Sequence, residues 1–321
     1  MQTDPILLVP GEPRSIFFEI FFKSIKSKDF KSPLIVICCK NLILGEIRKL
    51  NYKVNYKIVK ADELFKINLK KKTLYIVDIK LKKKTDSKIN NYYIKKYLIK
   101  SFLTAFEILK MGLTKKFING PINKKKFLNK KFYGMTEYIS EYFHEKKIGM
   151  LIYNEKLSVC PLTTHLPIKL VAKNITTKLV KEKIDIVNKF FIENFKKKPK
   201  IGVTSLNPHC ESILGFNEDK QIILPAIKKM KNKGIWVTGP HPADTIFMKN
   251  YRTKFDIIIG MYHDQVLGPL KTLFEFDAIN ITMGLPFLRV TPDHGPNEIM
   301  FGKNKSNPKS LAKALKFLDN R

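Results

Sequence analysis

Six stretches of this 321-residue chain escape a pervasive background of lysine: 118–123, 160–168, 203–210, 236–245, 260–271 and 279–298. They gather Gly, Pro, Asp, Asn and Thr and hold five of the six histidines. Three histidines stand out: His165 in Thr163-Thr164-His165-Leu166-Pro167, His209 in Asn207-Pro208-His209, and His263 in Tyr262-His263-Asp264-Gln265. Neutral imidazoles from three separate strand ends can hold one divalent metal and leave coordination positions for substrate oxygens. Taken singly, each is more often a hydrogen-bonded structural histidine than a ligand, and their wide separation in sequence does not choose. His144, in a Lys/Glu-rich segment, reads as surface, and His241 reads as a turn residue as readily as a functional one.

A second group comprises Lys271, Asn280 and Arg289, with Asp264 close in sequence. Two cations and an amide suit a phosphate or carboxylate, and a guanidinium can bind either through two parallel hydrogen bonds. Lys271 has many solvated counterparts in this chain. Arg289 does not, because arginine occurs only at 14, 48, 252, 289 and 321, and this one ends the apolar run Gly284-Leu285-Pro286-Phe287-Leu288. The turn-rich Thr291-Pro292-Asp293-His294-Gly295-Pro296-Asn297-Glu298 that follows could wrap a nucleotide. No GxGxxG follows any strand-like run, which argues against a Rossmann domain but not against a nicotinamide nucleotide.

These residues need elements to position them, and apolar runs alternate with helical spacing in the manner of an α/β fold. Ile6–Val9, Leu34–Cys39 and Leu74–Asp78 read as strands, with further strands at 201–206, 235–238, 256–261 and 278–282. Met150–Tyr153 and Leu157–Val159, parted by a turn at Asn154-Glu155, read as a hairpin. Helices are expected from Pro13 to Lys26, from about Asn41, over Asn91–Met111, 167–173, 176–196 and 218–232, and from Pro308 to Leu318. No internal repeat or long linker interrupts the pattern, and the Lys-rich 80–90 stretch reads as a surface loop. Each lysine-poor segment lies at or just beyond a strand end, where ligand sites of open α/β sheets form.

The formal net charge of +32 invites a nucleic-acid reading. Yet the excess is nearly all lysine spread along the chain, as in Lys70–Lys72, Lys82–Lys84, Lys124–Lys126 and Lys196–Lys198. Base readers and phosphate clamps favour arginine. Abundant Lys, Asn, Ile and Phe fit an AT-rich coding bias acting on a solvated surface, so no nucleic-acid partner is expected. No apolar run has the length of a membrane span. Four cysteines, 38, 39, 160 and 210, form neither a CxxC nor a disulfide framework, and no basic leader opens the chain. A reducing, cytoplasmic setting is the expectation.

The segments Pro10-Gly11-Glu12-Pro13, Gly120-Pro121-Ile122-Asn123-Lys124, Thr163–Pro167, Asn207–His209, Pro242–Thr245, Met261–Gln265, Asn280–Arg289 and Asp293-His294-Gly295 resemble, in order and spacing, the 4-hydroxythreonine-4-phosphate dehydrogenase (PdxA) family. The resemblance covers essentially the whole chain. It implies an isocitrate/isopropylmalate dehydrogenase-like, two-lobed α/β/α fold with the active site in the cleft between lobes. The first lobe would take residues 1–135 and 270–321, with the cofactor loop, and the second 136–269, with the metal ligands and dimer contacts. It also implies a homodimer with a shared active site, one metal ligand coming from the partner subunit. His165, His209 and His263 would be the ligands of a divalent metal (Zn, Mg or Co), and Thr136, Lys271, Asn280 and Arg289 the substrate contacts. His294, Gly295 and Asn297 would bind NAD or NADP. The implied reaction is oxidation of 4-phosphooxy-L-threonine, the metal polarising the C3 hydroxyl as hydride leaves for the nicotinamide. Either Lys271 or Asp264 would relay the hydroxyl proton. The β-keto acid product then loses CO2, in the formation of pyridoxal 5'-phosphate.

The chain also departs from the family pattern. A Gly-His-Thr-Glu motif appears as Gly134-Met135-Thr136-Glu137, so a thioether replaces a side chain able to donate a hydrogen bond. Arg14-Ser15-Ile16 follows Pro13 where Ala and Gly are usual, Cys210-Glu211 follows His209, Val266 stands for a Gly, and Pro296-Asn297 replaces Thr-Ala. The metal set survives these changes. The substrate end of the site is where they fall, which keeps a sister dehydrogenase of a phosphorylated threonate or erythronate as the rival reading.

Overall fold

The computed structural model describes residues 3–26, 30–82, 90–123, 127–128, 132, 134–212, 215–292 and 295–321. Most of the Lys-rich 80–90 stretch, and both Asp293 and His294, lie outside the described residues. The chain is mixed α/β and forms two compact units, Met1–Ile139 with Pro286–Arg321, and Ser140–Leu285. Thr136 and Arg289 therefore belong to the first unit; the three histidines, Lys271 and Asn280 belong to the second.

The first unit is built on six parallel strands in the order β3 (Tyr56–Val59), β4 (Leu74–Asp78), β2 (Leu34–Cys38), β1 (Ile6–Val9), β5 (Lys116–Asn119) and β12 (Leu288–Pro292). Runs such as Ile6-Leu7-Leu8-Val9 are apolar at every position because both faces of a parallel sheet are covered. The helix Phe17–Lys26 buries Phe17, Phe21 and Phe22 completely. The helix Asn91–Lys110 starts where Asn90 Oδ1 accepts the Tyr92 amide proton at 2.9 Å, an N-cap, and Gly112 follows its end at φ +77. The C-terminal helix is tied down by a carboxylate: Asp319 accepts the amides of Lys31 and Ser32 at 2.9 and 2.7 Å.

The second unit orders its strands β11 (Ile279–Met283), β6 (Gly149–Tyr153), β7 (Ser158–Thr163), β10 (Ile257–Tyr262), β8 (Ile201–Thr204) and β9 (Val237–His241). β6 and β7 are the expected hairpin, with Ile152 opposite Val159. β11 also runs antiparallel to β6, and β7, β10, β8 and β9 pair in parallel. Ile152, Val159, Phe255, Ile258, Val266 and Leu270 form its apolar centre.

Two strands are invisible to apolar patterning. β3 is an edge strand with Tyr56 and Ile58 exposed and Lys57 between them, so no buried run announces it. β12 ends on Pro292, where a missing amide proton costs nothing further, yet the surrounding prolines read as loop. The segment 218–232 is one helical stretch that opens as a π turn, Asp219–Ile223, before Leu224–Lys231.

The loop after β1 and the loop after β5 close against each other. The Gly120 amide donates to Val9 O at 2.8 Å, the Glu12 amide to Pro121 O at 2.9 Å, and the Asn123 amide to a Glu12 carboxylate oxygen at 3.0 Å. A Cβ at Gly120 would run into the Pro10 carbonyl and the Phe17 ring. Gly120→Ala should therefore cost roughly 1–3 kcal/mol of stability through overpacking, read as a lowered midpoint in denaturant unfolding; an unchanged midpoint would show that the two loops can part freely.

Candidate active site

In the first unit the candidate residues gather where β5 ends beside the first half of β12. Their parallel register sets Arg289 beside Phe117, so Asn119, two residues on, presents its side chain on the same face. Asn119 Oδ1 accepts the Arg289 Nε proton at 2.8 Å, and Thr136 Oγ1 accepts from Nη1 at 3.0 Å. Thr136 is the second residue of the helix Met135–Tyr142. Arg289 is only 4% exposed; burial pulls its pKa down to about 10, and the neighbouring Glu137 carboxylate opposes that pull. A guanidinium in this state still carries its charge at neutral pH. Met135, at the head of the same helix, is buried. The loop from Gly295 meets the first loop through the Ile16 amide, which donates to Pro296 O at 3.2 Å, and Asn297 takes a left-handed conformation at φ +48.

In the second unit all three histidines follow parallel strand ends: His165 after β7, His209 after β8, His263 after β10. The rings of His165 and His263 lie 6.5 Å apart, tilted by 31°. His263 Nδ1 is 2.7 Å from Asp264 Oδ1. A carboxylate only accepts, so Nδ1 carries the proton and a neutral ring keeps its Nε2 lone pair for an electrophile. His209 sits in a tight turn at φ +55, ψ 17. Two imidazoles on one tetrahedral ion, with metal–nitrogen bonds of about 2.0–2.1 Å, bring ring centres to about 5 Å. Among the described residues no three His, Cys, Asp or Glu side chains converge closely enough to hold an ion. The donor types suit a divalent metal; the His165–His263 pair stands open by about 1.5 Å relative to that geometry.

The loops that carry these rings are held by side chains that sequence patterning does not single out. Asp219, fully buried, accepts the Leu206 and Asn207 amides at 2.8 and 3.0 Å and the Asn207 side chain at 3.0 Å, fixing the chain just before His209. Gln265 accepts from the Met261 amide at 2.7 Å and Thr204 Oγ1 at 2.8 Å, and donates to Ser205 O at 2.8 Å. It thereby ties the His263 turn to the end of β8. An amide three residues into a helix, reaching back over its start, is the one signal that could have found Gln265. Val266 is fully buried, and its Cγ1 fills the space a Cβ at Gly260 would need. Lys271, on the helix His263–Phe274, is half-buried, and burial lowers its pKa below the ordinary lysine value. Asn280 lies on β11 opposite Ile152, and Asp264 is exposed.

A cavity of about 840 Å³ opens elsewhere, in the first unit, beside Phe22, Tyr52, Leu34, Tyr56 and Leu74. It lies at the amino ends of β2, β3 and β4, and no predicted site residue lines it. The helix Phe17–Lys26 ends there on a lysine that complements the helix dipole. The candidate residues stand elsewhere: in the second unit the histidines follow the carboxyl ends of β7, β8 and β10, and in the first unit Arg289, second residue of β12, meets Asn119 at the carboxyl end of β5.

Residues 30–318 match the family described as Pyridoxal phosphate biosynthetic protein PdxA. The chain belongs to the PdxA family. It is similar to the 4-hydroxythreonine-4-phosphate dehydrogenase of Sulfurihydrogenibium sp. (strain YO3AOP1), at 34% identity over 95% of this chain and 94% of the relative. It is also similar to the D-threonate 4-phosphate dehydrogenase of Salmonella typhimurium, at 28% identity over 98% of each. Its fold matches a crystal structure of the 4-hydroxythreonine-4-phosphate dehydrogenase from Klebsiella pneumoniae with a TM-score of 0.84, 26% identity and 99% of both chains covered. The PdxA chain is thus an α/β oxidoreductase of dehydrogenase fold. No helix among its described residues is long and apolar enough to cross a membrane.

If Asp219 fixes the His209 loop, Asp219→Ala should lose roughly 1–3 kcal/mol for charged hydrogen bonds left unmade. Chemical denaturation measures this, and stability equal to that of the parent protein would mean that water replaces the carboxylate.

Proposed function

We propose that this chain oxidises the C3 hydroxyl of 4-phosphooxy-L-threonine, passing a hydride to NAD or NADP and a proton to solvent. The product, 2-amino-3-oxo-4-phosphooxybutanoate, loses CO2 to give 3-amino-2-oxopropyl phosphate, a step in pyridoxal 5'-phosphate synthesis. The observation that carries this reading is kinship with 4-hydroxythreonine-4-phosphate dehydrogenases over nearly the full chain. When bound, the nicotinamide supplies the hydride acceptor and a divalent ion (Zn, Mg or Co) supplies a Lewis acid that favours ionisation of the hydroxyl.

The chain's own residues take the remaining roles. Arg289 and Lys271 hold anionic groups of the substrate, each charge-assisted bond contributing about 1.5–3 kcal/mol. Thr136 and Asn280 add neutral hydrogen bonds. His165, His209 and His263 hold the ion, one of them from the second copy in a homodimer; exposed Ile168 and Leu170, just past His165, suit burial by such a copy. The carboxylate of Asp264, 2.7 Å from His263 Nδ1, orients that ring, which leaves Lys271 as the nearer match for contact with the reacting substrate. His294, Gly295 and Asn297 bind the nucleotide. Four free cysteines accord with a cytoplasmic location.

A second reading, oxidation of a phosphorylated threonate, is favoured by the Salmonella relative and by Met135. Purified protein with NAD or NADP, a divalent metal and 4-phosphooxy-L-threonine should produce NADH or NADPH. Turnover with a 4-phosphothreonate alone would replace the first reading by the second. Met135→His should raise kcat/KM for 4-phosphooxy-L-threonine relative to 4-phosphothreonate by about tenfold, the worth of one added hydrogen bond; an unchanged ratio would remove residue 135 from substrate choice.

The pH profile tests Lys271. A lysine holds an anion only while protonated, and a lowered pKa means that its charge is lost earlier as pH rises. Activity should therefore fall on an alkaline limb that begins below 10.5, and Lys271→Arg should push that limb upward. A limb that rises with pH instead would make Lys271 the proton acceptor.

A further inference from the structure

We propose that Asn119 is a positioning residue for the reaction, fixing the plane of the Arg289 guanidinium without cancelling its charge. The inference rests on the reading of Arg289 as a ligand for an anionic group of the substrate. Asn119 is the last residue of β5 and only 4% exposed, so its amide must find partners inside the protein. Oδ1 accepts from Arg289 Nε at 2.8 Å, and Nδ2 donates to Gly120 O at 3.0 Å. These two contacts settle the amide's orientation: turned over, it would set a donor against the Nε–H and an acceptor against a carbonyl.

A guanidinium is a rigid plane, and contacts at two of its three nitrogens define its tilt. Asn119 supplies the contact at Nε and Thr136 the contact at Nη1. Backbone geometry keeps the first contact in place. The register of β5 and β12 puts Asn119 diagonal to Arg289 on one face, and Gly120 packs tightly on the loop after β1. The residue type matters as much as the position. An aspartate there would hold the same nitrogen more strongly, but it would neutralise the cation and repel an incoming phosphate or carboxylate. An asparagine orients the cation without adding a second carboxylate to that of Glu137.

This distinguishes a positioning role from a structural one. Substrate affinity is read by calorimetry with 4-phosphooxy-L-threonine, alongside kcat, KM and the thermal midpoint. Asn119→Ala should weaken substrate binding about tenfold or more and leave the KM for the nicotinamide nucleotide near its starting value. Asn119→Asp should keep or raise the thermal midpoint while also weakening substrate binding, a combination that a purely structural role would not produce. In an Arg289→Ala background, Asn119→Ala should have no further effect on affinity, because the group it orients is gone. The proposal fails if both Asn119 variants bind substrate within twofold of the parent while Arg289→Ala binds far worse. It fails equally if the Asn119→Ala penalty persists undiminished beside Arg289→Ala. Should Arg289→Ala alone leave affinity unchanged, the reading of Arg289 falls first and takes the proposal with it.

Discussion

Burying a guanidinium is the constraint around which the first unit's strand ends are arranged. An unpaired charge inside a protein is costly enough that it must be hydrogen-bonded or expelled. Arg289 is 4% exposed and lies within reach of Asn119, Thr136 and the Glu137 carboxylate. The cation survives because two strands, β5 and β12, hold a parallel register that brings a neutral acceptor to Nε, and because a helix begins where Thr136 can reach Nη1. The close contact between the loops after β1 and β5 serves the same end. It leaves Asn119 no slack to drift away, since Gly120 packs directly on the Pro10 carbonyl.

The second unit faces the opposite problem. If, as proposed, its three histidines hold a metal, they must be neutral and accessible, and each follows a strand end instead of lying within a strand. Turns wander unless their backbone groups are held. Asp219 and Gln265 do this with six hydrogen bonds, three each, to atoms of residues 204–207 and 261, just ahead of His209 and His263.

Much of this was legible in the sequence, for a physical reason. Buried parallel strands must be apolar at each position, so β1, β2 and β4 announce themselves, as do the hairpin of β6 and β7 and the helix Asn91–Lys110. Strand-end residues such as His263 and Arg289 were visible because the lysine background made other residue types conspicuous. What escaped were partners of partners. Asn119, Asp219 and Gln265 carry no periodicity and no charge pattern; their importance lies in a tertiary neighbour that only the fold supplies. β3 escaped because an exposed edge strand has no core side to write into the sequence. The loop holding His294 lies partly outside the described residues, and the family resemblance alone speaks for it.

Under the proposed function, Met135 is the position at which substrate choice can change while Arg289 keeps its partners. It occupies the position before Thr136, whose hydroxyl is engaged with Arg289. The side chain at 135 is buried and makes neither of the hydrogen bonds that Arg289 gives to Asn119 and Thr136. Replacing a hydrogen-bonding ring by a buried thioether removes a donor and adds apolar surface, yet neither the strand register nor the Asn119–Arg289 contact depends on it. A phosphate held by Arg289 would keep its place, while the far end of the substrate, amino acid or hydroxy acid, would be judged against a different surface. Tolerance for change thus falls where the backbone is least constrained by the buried cation, and a dehydrogenase scaffold can serve neighbouring phosphorylated substrates with one charge-holding core.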